Sequence, residues 1–510
     1  MQNTPRLFLA SIMALITTSF GFIVRAFLIP EWIVRFNLTE SQVGALQGAG
    51  LFPFALSIIF FSLFIDRLGY GRAMTCAWVG HVASAILTMT ATGYTQLYLG
   101  TLLFALSNGV VEAVINPVTA TLFSTNKTQR LNMLHAGWPG GLVIGGITAI
   151  ALGGVEWRWK IGLFLVPAVA YGVMMLRCKF PVQERVAAGV SYGDMLKEFG
   201  WGGCLIVSYF VAHAIDEIAR VFGLPLSGGA IAVITIVPTV LFAWRVRCFG
   251  RPLFALLLIV MILLSTTELG TDSWISTLMT PVLQATGPNA GKWVLIYTSA
   301  IMFTLRLFAG RIVHRISPLG LLAVSSALAT AGLLWIADAG AAAALVFLAA
   351  TVYGVGKSFF WPTTLGVVAE QFPKGGALTL NAMNGMGMIA VGVLGAPFLG
   401  TIQDKYLDQA LLRDAPALHA SITGAEQSKY GITFRPLDQQ RVAALPEAQL
   451  KIVEKVQVSN SQATLARIAV LPAIMFAAYL SLIVYFRRRG GYRPATLLSA
   501  PGAGTVASSP

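Results

Sequence analysis

Apolar segments long enough to cross a bilayer recur along this chain, and each such segment needs about 20 residues when it is helical. A first series lies near residues 7–34, 42–65, 72–93, 96–123, 131–153 and 159–176. A second series lies near residues 253–280, 292–313, 318–338, 341–369, 377–400 and 465–487. Charged residues make up only 11% of the chain, whereas soluble domains carry about 25%. The sequence therefore predicts an all-α polytopic membrane protein with two series of six helices.

Two further apolar stretches, residues 200–222 and 225–246, separate the two series. Basic residues flank this pair at 177–185 and 245–251, and basic loops remain on the cytoplasmic side of a membrane. The insert must then cross an even number of times, which predicts fourteen transmembrane helices with both termini in the cytoplasm. An ion pair between Asp216 and Arg220, one helical turn apart, would reduce the cost of charge in the first stretch. We expect a multi-pass protein of the cell inner membrane.

These features divide the chain into four parts. We expect an N-terminal six-helix bundle at 1–180, a cytoplasmic linker with the two-helix insert at 181–250, a C-terminal six-helix bundle at 251–490 and a disordered tail at 491–510. A charge-balanced soluble segment at 401–464 precedes the last helix on the outer face, and its pattern at 445–456 predicts a short amphipathic helix. This segment could be a lid, a partner surface or only a structured linker.

The two series carry copies of one pattern. Glu112 and Lys357 each lie three residues after a glycine and five residues before a proline, 245 positions apart (357 minus 112). Asn132 and Asn381 each follow a leucine, 249 positions apart (381 minus 132). Two repeats of six helices are a known transporter architecture, with the substrate site at the repeat interface. Since a charge inside an apolar segment is costly and marks function, we expect a binding site between the halves.

The charged residues inside the helices can be paired in two ways. Either Glu112 and Lys357 face one another across the central cavity, or Lys357 has a separate partner such as Glu268 or Asp272. The last two lie one turn apart in the seventh helix and could titrate together, or they could lie in water at its outer end. The coupling candidates are Glu112, Glu268, Asp272 and Arg25. The candidate counter-ions of the seventh-helix acids are Arg25, Lys357 and Arg306.

Two loops at corresponding positions carry short charged runs. Their residues are Asp66, Arg67, Gly69 and Arg72 in the first series, and Gly310, His314 and Arg315 in the second. Gly69 permits a tight turn, and Asp66 can pair with a helix N-terminus or with an arginine across the interface between the halves. The first loop resembles the signature of the major facilitator superfamily, with Ser62 at the position of its leading glycine. The resemblance covers nearly all of the chain except 200–246 and 401–464, and it implies that these loops switch the conformation.

Within that superfamily, the run Glu112-Ala-Val-Ile-Asn116-Pro, followed by Arg-Leu-Asn132, resembles the fucose, galactose and glucose proton symporter branch. The resemblance implies that Glu112 accepts the proton and a substrate hydroxyl, with Asn116 as its hydrogen-bonding neighbour. It implies sugar-facing positions for His135 and Trp138 in the fifth helix. The acid that this branch carries in its first helix falls on an alanine, beside Arg25, so its two-carboxylate coupling scheme is incomplete here.

The remaining polar and aromatic residues of the helices suit a polyhydroxylated solute. Amides and a carboxylate can bracket neighbouring hydroxyls, and tryptophan offers a flat apolar face to the C–H side of a sugar ring. Alternatively, the asparagines hold helices together and the tryptophans belong to the core. The candidate substrate-binding residues are Glu112, Asn116, Asn132, His135, Trp138, Lys357, Trp361, Asn381 and Asn384.

The function that these features predict is secondary transport of a small polyhydroxylated solute, such as a monosaccharide or a related glycoside, by alternating access, with or without proton coupling. The alternatives are an exporter of amphipathic compounds and a non-transporting solute sensor. No Ser-His-Asp set, metal-spaced His/Cys cluster or phosphate-binding glycine loop is present in the sequence, so we expect neither an enzyme nor a metal or cofactor. The formal charge of +14 indicates contact with anionic inner-leaflet lipid rather than nucleic acid. A monomer is expected.

Overall fold

A computed structural model describes residues 4–287, 289–313, 315–340, 342–495 and 497. Within these residues nearly all regular structure is helical, and the strands form one two-stranded hairpin. Twelve helices are long and apolar enough to cross a membrane, as judged by their length and composition. The prediction of an all-α polytopic membrane protein is therefore confirmed.

The predicted count of fourteen crossings is not confirmed. Two helices that the sequence analysis counts as crossings, Tyr70–Met89 and Ala290–Leu307, are not among the twelve. Polar groups explain the difference, because the first helix contains Arg72 and His81 and the second contains Lys292 and Arg306. Both helices of the central insert, Tyr192–Arg220 and Gly228–Val246, are among the twelve.

The N-terminal half consists of nine helical pieces. They are α1 Thr4–Phe36, α2 Glu40–Ser62, α3 Ile65–Leu68, α4 Tyr70–Met89, α5 Tyr94–Leu122, α6 Lys127–Leu134, α7 Gly137–Ala151, α8 Trp157–Gly162 and α9 Leu165–Met175. Glycines allow α7 to pack directly on α1, since a Cβ at Gly141 would lie 2.4 Å from the Ile16 carbonyl oxygen. The glycine of the repeated pattern acts in the same way, because a Cβ at Gly109 would lie 2.3 Å from the Phe54 carbonyl oxygen of α2.

The linker and insert contain α10 Glu184–Ala187, α11 Tyr192–Val221 and α12 Gly228–Val246. Helix α11 is interrupted at Gly200, whose φ of +64° suits glycine and whose missing side chain lets the backbone of Gly250 approach. The predicted pair in α11 is confirmed, since the Arg220 guanidinium lies 2.9 Å from an Asp216 carboxylate oxygen. The other oxygen of Asp216 accepts the Leu226 amide at 2.8 Å, which ties α11 to the turn before α12.

The C-terminal half repeats the plan with more interruptions. Its elements are α13 Pro252–Ser265, a π-helix at Thr266–Gly270, α14 Thr271–Val282, a 3-10 turn at Gln284–Thr286, α15 Ala290–Leu307, α16 Ala309–Val313, α17 Pro318–Asp338, α18 Ala343–Lys357, α19 Phe360–Gln371, a 3-10 turn at Pro373–Gly375, α20 Gly376–Ala390, a second π-helix at Val391–Gly395, and α21 Ala396–Asp414. The final membrane helix is α25 Val470–Arg488. Helices with π-turns are frequent at functional sites, and the first one here carries Glu268.

The segment 401–464 folds as a small cap on the C-terminal half. It comprises the end of α21, α22 Pro416–Ile422, the hairpin strands β1 Gln427–Lys429 and β2 Ile432–Phe434, α23 Gln439–Ala443 and most of α24 Glu447–Ile468. The amphipathic helix predicted at 445–456 is the first part of the longer α24. A separate small core holds the cap together, and its buried members are Leu407, Leu411, Ile422, Val442, Val453 and Val456.

Candidate functional site

A small cavity lined by buried side chains lies between the two halves. The N-terminal half contributes Glu112 from α5, His135 from the α6–α7 junction and Trp138 from α7, and the C-terminal half contributes the rest of the lining. Those residues are Glu268 and Leu269 from the first π-helix, Arg306 from α15, Trp361 from α19 and Met388 from α20. Each lining residue belongs to a helix or to a break between helical segments. The cavity therefore has the position expected for a site shared by two repeats.

A chain of hydrogen bonds holds Glu112 on the N-terminal side of the cavity. The Asn116 amide donates to the Glu112 carboxylate at 2.8 Å, and the Asn384 amide of the opposite half donates to the same oxygen at 3.2 Å. The chain extends through a 2.9 Å contact between the His135 Nε2 and the Asn116 amide oxygen. The indole N–H of Trp361 donates to the Asn384 amide oxygen at 2.7 Å. Within the described part of the chain, no ion pair joins Glu112 to a cation.

Arg306 organises the opposite wall of the cavity. Its guanidinium donates to the Glu268 carboxylate at 2.8 Å, to the Ser358 carbonyl at 2.6 Å and to the His135 carbonyl of the other half at 3.0 Å. The second carboxylate oxygen of Glu268 accepts the backbone amide of Trp361 at 3.3 Å. Arg306 and Glu268 are each at most 2% exposed. Since their opposite charges compensate one another, this buried pair adds polarity to the cavity with little net charge.

The arrangement in which Glu112 faces Lys357 is wrong, and the alternative partner is confirmed. Lys357 forms an ion pair with Asp272, and its ammonium lies 5.1 Å from the centre of the Tyr353 ring. Lys357 and Asp272 are buried in the C-terminal half and do not line the cavity. The two sequence copies diverge here, because Lys357 stands one residue before the break between α18 and α19 whereas Glu112 lies inside the continuous α5.

Arg25 is not a counter-ion of the seventh-helix acids, in contrast to Lys357 and Arg306. Its guanidinium lies inside the N-terminal half, 4.0 Å from the centre of the Phe104 ring and 3.4 Å from the hydroxyls of Ser84 and Thr88. The structure therefore does not bring this coupling candidate to the cavity. Sequence position alone could not exclude it, because one helix presents its residues to several neighbours.

Asn132 and Asn381 join the two halves beside the cavity rather than lining it. The Asn132 amide donates to the Thr363 hydroxyl of the other half at 3.2 Å, and the Asn381 amide donates to the Ala113 carbonyl at 3.0 Å. Both side chains are buried completely. The expectation that asparagines hold helices together describes this pair, whereas Asn116 and Asn384 orient the cavity carboxylate.

The first charged loop packs against the linker and the start of the insert. Asp66 pairs with Arg185 of α10 at 2.6 Å, so its partner belongs to the linker and not to the opposite half. Gly69 has a φ of +87°, which confirms the predicted tight turn. Arg67 stacks on the Tyr192 ring at 5.1 Å, and Arg72 is exposed. Gly310 lies in α16 and Arg315 lies after it, while His314 is outside the described residues.

A second set of polar contacts between the halves, near these loops, was not predicted from the sequence. The Thr128 hydroxyl of α6 donates to the Glu370 carboxylate of α19, and the Tyr492 hydroxyl donates to its other oxygen at 2.7 Å. Lys127 pairs with Glu184 at 2.6 Å and donates to the Ala369 carbonyl. An isolated acid at the end of an apolar helix, as Glu370 is, was the available signal. These contacts join α6 to α19 and to the linker.

The helical bundle and the cavity between its halves define a polytopic transport protein. A model of the Major Facilitator Superfamily matches residues 7–396, which is more than half of the chain. This protein therefore belongs to the major facilitator superfamily.

Solved structures of other transporters share this fold. The human organic anion transporter MFSD10 (TETRAN) is 13% identical over 93% of this chain and 99% of its own, with a TM-score of 0.62. The fucose:proton symporter FucP of Escherichia coli is 13% identical over 92% of this chain and 98% of its own, with a TM-score of 0.55. A bacterial homologue of the human lysosomal transporter Spinster is 13% identical over 97% of this chain and 99% of its own, with a TM-score of 0.60. A search of curated proteins finds no match.

Proposed function

We propose that this protein is a secondary carrier that moves a small polyhydroxylated solute, such as a monosaccharide, across the membrane by alternating access. The observation that carries the proposal is the cavity between the halves, where Glu112 is held by two amides and flanked by Trp138 and Trp361. A carboxylate can accept hydrogen bonds from hydroxyl groups, and the two indole rings offer apolar faces to a sugar ring. This combination suits a neutral polyol.

The charge of the cavity favours a neutral solute over an anion. Its lining contains two carboxyl groups, Glu112 and Glu268, and a single cation among the described residues, Arg306. Arg306 already donates to Glu268 and to two backbone carbonyls. An incoming anion would therefore have to displace a buried ion pair, which is costly, and would approach the Glu112 carboxyl.

Glu112 is the residue that we propose to carry the coupling proton. A carboxylate without a cationic partner is costly to bury, whereas a protonated carboxyl remains hydrogen bonded at lower cost. The amides of Asn116 and Asn384 can serve both forms, since an amide has a donor and an acceptor. Asn384 belongs to the opposite half, so a change in the protonation of Glu112 acts directly on the contact between the halves.

Uptake into proteoliposomes tests the proposed function. We expect at least one of D-galactose, D-glucose and L-fucose to accumulate when the outside is acidified, and the organic anion p-aminohippurate not to accumulate. If sugar flux does not respond to the pH gradient, the proposal of proton coupling is wrong, while the assignment of a polyol substrate stands. Uptake of p-aminohippurate without any sugar uptake would contradict the polyol assignment, and saturable sugar binding without flux would indicate a sensor.

We also propose that the chain crosses the membrane fourteen times and that both termini lie in the cytoplasm. The protein would then be a monomer in the cell inner membrane. The support is the alternation of basic loops and the presence of a helical pair at the centre of the chain. In a variant whose four cysteines are replaced by serine, Leu224→Cys should react with an impermeant maleimide added outside intact cells. Arg245→Cys, at the other end of α12, should react only after permeabilisation. Equal protection of both positions would mean that the insert does not cross.

A further inference from the structure

Prolines inside the membrane helices leave certain backbone carbonyls without their usual partner. Proline has no amide hydrogen to donate to the carbonyl four residues earlier in an α-helix. Pro117, Pro139 and Pro362 affect the carbonyls of Ala113, His135 and Ser358 in this way. Each of these carbonyls accepts a hydrogen bond from a side chain instead. Asn381 donates to the Ala113 carbonyl at 3.0 Å. Arg306 donates to the His135 carbonyl at 3.0 Å and to the Ser358 carbonyl at 2.6 Å.

Two of these three contacts cross from one half of the protein to the other. Asn381 lies on α20 of the C-terminal half, while Ala113 lies on α5 of the N-terminal half. Arg306 lies on α15, and His135 lies between α6 and α7. Both donors are at most 1% exposed, so water does not compete for the carbonyls in this state. The third contact, with Ser358, fixes the Arg306 guanidinium within its own half.

We propose that these two contacts between the halves form a proline clasp, consisting of Ala113, His135, Asn381 and Arg306, which holds the empty carrier closed at the level of the substrate cavity. The proposal rests on alternating access, because a carrier that exposes its site by separating its halves must break both contacts. Pro117 and Pro139 give the clasp its strength. Each proline removes the amide hydrogen, four residues later in the chain, that could otherwise bond to the carbonyl.

A carbonyl freed by proline responds to opening differently from an ordinary helical carbonyl. When the halves are closed, it is buried and depends on the donor of the opposite half, because a buried unpaired carbonyl is costly. When the halves separate, water or a solute hydroxyl can reach it, so the cost of losing the donor is largely offset. The clasp can therefore favour closure of the empty cavity and still open reversibly.

The experiment measures closure directly, without any substrate. In a variant whose native cysteines are serines, Met388→Cys places a single thiol in the cavity lining. Its rate of reaction with a small water-soluble maleimide then reports the open fraction. Asn381→Ala leaves the Ala113 carbonyl buried without a donor, so labelling should accelerate about tenfold. Adding Pro117→Ala supplies an amide to that carbonyl within α5, and labelling should return most of the way to the starting rate.

The control variant is Pro238→Ala in α12, where an exposed proline lies inside a helix that has no part in the clasp. Pro238→Ala should not slow labelling in the Asn381→Ala background, whereas Pro117→Ala should. If Asn381→Ala is poorly expressed, Asn381→Leu removes the donor with less change in volume. Unchanged labelling in both Asn381 variants, or fast labelling that Pro117→Ala does not reverse, overturns the clasp. Because no sugar is present, the result stands apart from the uptake experiment, and either can fail without the other.

Discussion

Replacing Lys357 with methionine is expected to destabilise the protein by about 3–5 kcal/mol, because removal of one member of a buried ion pair leaves an uncompensated charge. Lys357 is fully buried and its partner Asp272 is 7% exposed, so neither group can be rescued by water in the closed state. One oxygen of Asp272 has no hydrogen-bond partner among the described residues even before the substitution. The midpoint of thermal unfolding in detergent, read by fluorescence-detected gel filtration, should fall accordingly.

Removing both charges should cost less than removing either one. The double variant Lys357→Met with Asp272→Asn contains no unpaired buried charge, so its midpoint should lie above that of Lys357→Met alone. Lys197→Met is the matched control, since Lys197 pairs with Asp194 on an exposed surface and such pairs contribute about 0–1 kcal/mol. If Lys357→Met melts like Lys197→Met, or if the double variant is the least stable of the set, the pairing with Asp272 does not support the fold.

The sequence predicted the membrane helices well because their apolar length is a local property. The first segment, predicted near 7–34, is helix Thr4–Phe36, and the one predicted near 318–338 is Pro318–Asp338. The breaks inside the helices were not predictable in this way. The π-helix at Thr266–Gly270 lies inside the segment predicted near 253–280 as one helix, and hydrophobic patterning does not distinguish a π-turn from an α-turn. The hairpin of the cap was also missed, because its two strands are only three residues each.

The sequence predicted Glu112, His135, Trp138 and Trp361 as substrate-binding residues, and all of these line the cavity, but it predicted few of their contacts. Spacing along α5 was enough to pair Glu112 with Asn116, since residues four apart share a helix face. Spacing could not decide whether Lys357 reached Glu112 or Asp272, because that depends on how α18 is rotated against α14. Nor could it predict that Asn384 would complete the contacts of Glu112 from the other half. Contacts between helices distant in sequence require the packed structure.

Replacing Glu112 with glutamine is expected to abolish accumulation of the sugar against its gradient while leaving exchange of sugar across the membrane. Glutamine has nearly the same size as glutamate and can still form hydrogen bonds with Asn116 and Asn384, so the cavity should remain intact. It cannot take up or release a proton in the physiological range. A pH gradient should therefore no longer drive uptake, and the sugar should reach equal concentrations on both sides of the liposome membrane.

Two measurements separate this role from a purely structural one. Counterflow of labelled sugar in liposomes preloaded with unlabelled sugar needs binding and alternating access but no proton gradient, so Glu112→Gln should retain it. Glu156→Gln is the matched control, because Glu156 is exposed and, among the described residues, forms an ion pair only with the nearby Arg158. It should keep accumulation as well. Normal accumulation by Glu112→Gln would exclude this carboxyl as the proton carrier. If a stably folded Glu112→Gln variant loses both accumulation and counterflow, the glutamine amide cannot replace the carboxylate in binding the sugar. The Glu112 carboxylate would then be a direct ligand of the sugar.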